Sequence, residues 1–123
     1  MSVKFMRWAS ATGGLLLTAS NVNHSNGGFS HCGNPGVTGT PGLTVQYGSG
    51  SYTYAWTQVG TPAQSGPYNC SNAAIANPTW SKASVCDGDT PNSETWRVTV
   101  TDTVSGAQKT KDITVTLIWS DFT

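Results

Sequence analysis

"ETWRVTVTD" (residues 94–102) sets Trp96, Val98 and Val100 against Arg97, Thr99 and Thr101. Apolar and polar residues alternating with period two are what a half-buried β-strand requires, because successive side chains leave opposite faces of the pleat. "KDITVTLIW" (111–119) repeats the pattern, with Ile113, Val115, Leu117 and Trp119 against Asp112, Thr114, Thr116 and Ile118. "SGAQ" (105–108) supplies a turn between them. The two runs predict an antiparallel hairpin.

Working upstream, "LTVQY" (43–47), "GSGS" (48–51) and "YTYAWTQV" (52–59) predict a second hairpin. Tyr52, Tyr54 and Trp56 then share one face of a strand. Facing outward they would form a stacking ladder suited to sugars. That arrangement leaves only Thr53, Ala55 and Thr57 to face the core, which makes the core thin. The inward reading is preferred: Trp56 is core, and the tyrosines extend it toward one end. Residues 60–93 contain Pro62, Pro67 and Pro78 and read as connection, with a short strand in "PTWSKASV" (78–85) and a turn in "DGDTPNS" (87–93). "GGLLLTAS" (13–20) reads as an edge strand. The Gly-, Asn- and Ser-rich residues 21–42 fit a mobile loop, an irregular edge strand or an arm that orders on a partner. The chain divides into a sandwich core over 43–123 and an N-terminal strand plus arm or loop over 1–42, part of that sandwich or appended to it. Six or seven short strands separated by turns predict an all-β, two-sheet antiparallel sandwich.

Composition agrees. Charged residues make up 10% of the 123, against about 25% in an average soluble domain. Glu94 is the single glutamate, so long charged surface helices are not expected. Six basic and six acidic residues, scattered singly, give zero net charge. With no basic stripe to neutralise phosphates, nucleic acid is not an expected partner. In "MSVKFMRWASATGGLLLTAS" (1–20) the apolar patch is short, Leu15 to Leu17, and Ser and Gly interrupt the continuous run a signal peptide needs, so the stretch reads as mature structure. No segment has the length of a membrane span, and no membrane partner is expected.

Three cysteines cannot all pair within one chain. Cys70 and Cys86 flank one irregular stretch and form the candidate disulfide; three reduced thiols in a reducing cytoplasm are the alternative. His31–Cys32 with His24 offers imidazole and thiolate, but without the paired spacing of a zinc site. "CDGDT" (86–90) spaces Asp87 and Asp89 like part of a calcium loop, which Glu94 and backbone carbonyls would have to complete. A solvated Asp-Gly turn explains it more simply. No metal or cofactor is expected. Both histidines fall in the least regular segment, there is no G-x-S-x-G elbow, and of the carboxylates a glycosidase pair would draw on (Asp87, Asp89, Asp102, Asp112, Asp121 and Glu94) most sit in turns or at strand ends. The chain is not expected to be an enzyme.

The order of these elements carries a resemblance. A strand with Trp56 precedes an irregular stretch; "ETWRVTVTD", a Gly-containing turn and "DITVTLIW" follow. This resembles the immunoglobulin-like and PKD-like β-sandwich of about seven strands. More narrowly, "GSGSYTYAWTQV", "ANPTW" and "WRVTVTDTVSGAQKTKDITVTL" look like Ig-like domains of tailed-phage virion and prophage proteins. The resemblance covers about residues 43–119. It places Trp56 at the core tryptophan of the third strand, Trp96 at the tyrosine corner, and Val98 at the second inter-sheet cysteine. Neither "LTVQY" nor "WRVTV" carries a cysteine, so the antibody-type disulfide is absent, as is the PKD "WDFGDG" signature. The core implied by the strands is Trp56, Trp96, Val98, Val100, Ile113, Val115 and Leu117. The function implied is that of a non-enzymatic structural protein of a bacteriophage virion, made in the bacterial cytoplasm and multimeric in the particle. It would be a capsid decoration protein or a tail component, with residues 1–42 and the terminal "WSDFT" (119–123) contacting neighbouring virion subunits. The alternative is an adhesion module binding host-surface glycans through exposed aromatics such as Tyr68 or Trp80.

Overall fold

The computed structural model describes residues 14–123. Among them the fold is all-β, without helices, and therefore without a helix long and apolar enough to cross a membrane. The expected mature structure at the start of the chain, residues 1–13, lies outside the described residues.

The two alternating runs form the longest strands, β9 (Ser93–Asp102) and β10 (Gln108–Asp121), paired antiparallel with Ile113 opposite Trp96 and Val115 opposite Glu94. The five-residue reversal closes when Asp102 N donates to Ala107 O and Gly106 N to Asp102 O, with Gly106 at φ 80°. On the outer face Arg97 grips Asp112 through two hydrogen bonds, a solvent-exposed pair that water and salt screen.

β5 (Tyr52–Val59) lies antiparallel on the other side of β9, with Trp56 opposite Val98. β2 (Val22–Gly28) lies on the other side of β10, running parallel to it from Val22 opposite Val115 to Gly28 opposite Asp121. The order β2-β10-β9-β5 thus makes a mixed four-stranded sheet, where a wholly antiparallel one was expected. Part of the Gly/Asn-rich stretch is an edge strand of the main sheet. Its residues are poor strand formers, and pairing with β10 overrides that preference. Asn21 assists by accepting a hydrogen bond from Thr114 N at 2.8 Å.

Three short antiparallel ladders accompany this sheet: β1 (Leu16–Thr18) with β4 (Thr44–Gln46), β3 (Cys32–Gly33) with β8 (Val85–Cys86), and β6 (Asn69–Cys70) with β7 (Trp80–Ser81). The described residues therefore hold ten strands in several sheets, an arrangement compatible with a β-sandwich. The second predicted hairpin does not form. β4 pairs with β1, Val45 opposite Leu17, while β5 joins β9. The turn explains this. Tyr47, Gly48 and Gly50 all have positive φ, and Ser49 is tied to Asp102, so the chain leaves one sheet for the other instead of folding back in plane. "PTWSKASV" likewise splits between β7 and β8, which have different partners.

The core collects Trp56, Trp96, Val98, Val100, Ile113, Val115 and Leu117 from the main sheet. Leu15, Leu17, Leu43, Tyr68, Trp80 and Val85 join them from the short ladders and connections. Tyr52 and Tyr54 are half-buried against it, as the inward reading requires. Trp80 is fully buried and stands edge-on between Trp56 (5.3 Å between ring centres) and Trp96 (5.6 Å). Such pairs contribute about 0.5–1.5 kcal/mol beyond the area they bury. Tyr68 is buried too, its hydroxyl donating to Asn92 O. Neither of the two aromatics suggested for glycan binding is exposed.

Candidate functional site

Two carboxylates serve the fold. Glu94 lies on the inner face of β9 and is 2% exposed. It accepts hydrogen bonds from Ala63 N (3.0 Å), Tyr68 N (3.1 Å) and Trp96 Nε1 (2.9 Å), which fixes the 63–68 segment over the core. A Cβ on Gly66 would stand 2.2 Å from its Oε2, so only glycine permits this approach. Glu94 is therefore committed to the interior and is not free to complete a calcium loop. Asp102 accepts from Ser49 N and Oγ, both at 2.7 Å, and from Val104 N and Ser105 N. These donors, Ser49 first, hold its carboxyl down to about pKa 2.

Chemistry-bearing groups gather at the opposite end of the main sheet, where β2 and β10 finish beside the β3–β8 ladder. That ladder places Cys32 directly opposite Cys86, and the two form a disulfide spanning 54 residues. The expected Cys70–Cys86 bridge is not made. Cys70 sits in β6, whose partner is β7, and is the free cysteine. Burial pushes its thiol pKa up, so it is a poor nucleophile.

Around the disulfide lie His31, Asp87, Asp89, Trp119 and Asp121. Asp87 N donates to His31 O at 2.8 Å, Cys86 N to Asp89 Oδ2 at 3.0 Å, and Asp121 N to Asp87 Oδ2 at 3.2 Å. His31 Nδ1 stands 3.9 Å from Asp121 Oδ2. Thr123, through its hydroxyl and its N–H, holds the Asp121 carboxyl below the usual range, with a smaller contribution from His31. Trp119 donates its indole N–H to Ser30 O at 2.9 Å, and its ring lies so close to Gly33 that a Cβ there would be 2.4 Å away. A cleft of about 160 Å³ opens beside this cluster, lined in part by Val85, Cys86, Asp87, Asp89 and Trp119.

Beyond it, Phe29 and Phe122 meet edge to face with ring centres 6.1 Å apart. They are 81% and 62% exposed, and Phe122 N donates to Gly28 O at 2.7 Å. His24, grouped with Cys32 in the sequence reading, is not in the cluster; its ring lies against Gly36. Cys86 takes its place, brought in from β8, while Asp121 at the end of β10 stands beside His31 at the cluster's margin. Sequence spacing could not reveal them, since neither is near His31 along the chain.

No protein-family model, curated protein or solved structure matches the chain. What the site can do rests on its chemistry: an exposed aromatic pair for apolar contact, and sulfur, imidazole and carboxylate groups beside it.

Proposed function

We propose that this chain is a non-enzymatic structural protein of a tailed-phage virion, an Ig-like β-sandwich acting through contacts with neighbouring capsid or tail subunits. The observation that carries the reading is the Phe29–Phe122 pair. Its members come from the two segments, 1–42 and 119–123, expected to make intersubunit contacts, and both rings face solvent. Aromatic side chains have few rotatable bonds, and aromatic anchors buried on docking dominate interface energetics. The neighbouring strand β2 is the edge of the main sheet among the described residues and offers its outer backbone groups for sheet extension by a partner. The Ig-like assignment and the phage setting draw on the sequence resemblance in residues 43–119.

The test is copy number in particles purified from the host lysate, by quantitative mass spectrometry, for the native chain and for a Phe29→Ser/Phe122→Ser variant. Hundreds of copies in a simple ratio to the major capsid protein would support capsid decoration; a few to some tens would support a tail location. The double variant should fold normally and be depleted at least tenfold from particles. Absence of the native chain from particles would refute the reading, and a glycan array would then test the adhesion alternative.

A further inference from the structure

We propose that Cys32 and Cys86, when reduced, form with His31 and Asp121 a site for a borderline-soft divalent cation, zinc above all, so that this corner is closed by a disulfide in an oxidising medium and by a metal in a reducing one. The ligand atoms of His31, Cys32 and Cys86 all lie within 4.8 Å of one another. Tetrahedral zinc, with Zn–S near 2.3 Å and Zn–N near 2.0–2.1 Å, asks for ligand atoms roughly 3.3–3.8 Å apart. Once the S–S bond is gone, side-chain rotation lets the two sulfurs part to that spacing. Asp121 lies outside that group of three; its Oδ2 stands 3.9 Å from His31 Nδ1 at the end of β10, and rotation of its side chain toward the sulfurs would complete the fourth position.

The corner does not depend on the disulfide alone for its shape. The bonds from Asp87 N to His31 O, from Cys86 N to Asp89 and from Asp121 N to Asp87 tie the backbones of three ligand segments together. Trp119 holds the neighbouring turn through Ser30 O and walls the site on the Gly33 side. Outer groups of this kind orient metal ligands and tune their affinity. His31 is exposed and the two cysteines are half-buried, so a cation can enter from solvent. Two thiolates, an imidazole and a carboxylate select zinc or cobalt over calcium and magnesium, which prefer all-oxygen sites. The donor set thus differs from the calcium loop suggested by "CDGDT".

The exchange balances with a dithiol as reductant. The dithiol gives two electrons and two protons to the S–S bond and leaves as a cyclic disulfide, while Cys32 and Cys86 become thiols. Binding of the divalent cation then displaces the two thiol protons to solvent, and both sulfurs bind as thiolates.

The probe is Co²⁺, added to full-length protein reduced with dithiothreitol and desalted under nitrogen. One equivalent should produce thiolate-to-cobalt charge transfer in the near ultraviolet and tetrahedral d–d bands in the visible, both abolished by Zn²⁺. Cys70→Ser should leave the spectrum intact, since Cys70 lies in a different ladder. Cys86→Ser should remove most of the charge-transfer intensity. His31→Ala, a change at an exposed side chain that keeps the native circular dichroism, should weaken binding on the order of tenfold or more, and Asp121→Asn similarly. The proposal is overturned if the reduced native chain shows no such bands, if Cys70→Ser abolishes them, if His31→Ala and Asp121→Asn bind with native affinity, or if the oxidised protein binds as tightly. Reduced protein that loses its β-sheet signal and does not regain it with Co²⁺ overturns it as well.

Discussion

Trp96 donates its indole N–H to Glu94, two residues back on the same inner face of β9, at 2.9 Å. The carboxylate also takes the N–H groups of Ala63 and Tyr68, so a buried charge is met by dipoles from one side chain and one loop. Removing it would orphan three buried donors. Glu94→Gln, whose amide turns an N–H toward donors, should lower stability by about 1–3 kcal/mol, and Glu94→Ala by more. Urea unfolding followed by tryptophan fluorescence measures both. A Glu94→Gln midpoint indistinguishable from the native one would show that the carboxylate is dispensable.

Asp102 joins the β4–β5 corner to the β9–β10 reversal through Ser49, Val104 and Ser105. Its pKa is lowered from 3.8 to about 2 in the folded chain. A depressed carboxyl pKa stabilises the fold above the unfolded value, and the contribution disappears as pH falls from about 4 to about 2. Asp102→Asn should therefore be less stable at neutral pH and show a flatter acid limb over that window. Thermal unfolding between pH 5 and pH 2 checks this, and parallel acid limbs would contradict it.

The Tyr68 hydroxyl behaves in the opposite direction. Burial pushes its pKa up to about 12, with the hydrogen bond to Leu117 O opposing and the nearby Glu94 charge adding to the rise. Stability held below about pH 10 should fall as pH approaches 12. A spectrophotometric titration should show one tyrosine ionising only as the fold is lost. Tyr68→Phe should remove that late phase and cost about 0.5–1.5 kcal/mol.

Trp80 is the middle ring of the three-tryptophan stack, and no acceptor meets its Nε1 among the described residues. Trp80→Ala should cost about 3–5 kcal/mol through the cavity it opens. Trp80→Phe keeps an aromatic ring and deletes the orphan N–H, so its loss should be less than half as large. Equal losses would show that the indole's polar edge matters more than its volume.

The Cys32–Cys86 bridge closes 54 residues of sequence. Cys86→Ser should destabilise the oxidised protein by about 2–4 kcal/mol, while Cys70→Ser should change it by less than ~1 kcal/mol. Peptide mapping without reduction should recover Cys32 linked to Cys86. A Cys70–Cys86 peptide would reverse the assignment.

The β9–β10 hairpin was legible in the sequence because alternation and turn chemistry are local. The same parity that puts Trp96, Val98 and Val100 on one face puts Glu94 there too, so alternation alone carries a signal for its burial. The partner of β4 was not legible. "LTVQY" suits a strand against any neighbour, and only the left-handed turn at Tyr47 and Gly48, locked by Asp102, sends it to β1. The burial of Tyr68 and Trp80 was not legible, Trp80 even within the short strand expected over 78–85, because proline-rich surroundings leave too little alternation to show which face turns inward; both are core.

Alternation along the chain is enough to assign the β-strands and the apolar faces of β5, β9 and β10, because side-chain alternation follows from the backbone geometry of each strand alone. Tertiary structure alone decided that β2 runs parallel to β10, that Cys32 and not Cys70 meets Cys86, and that Phe29 and Phe122 stand together at one end of the sheet. Those outcomes depend on which pairing buries the most apolar surface while satisfying the backbone, a sum taken over the whole chain that no short stretch carries.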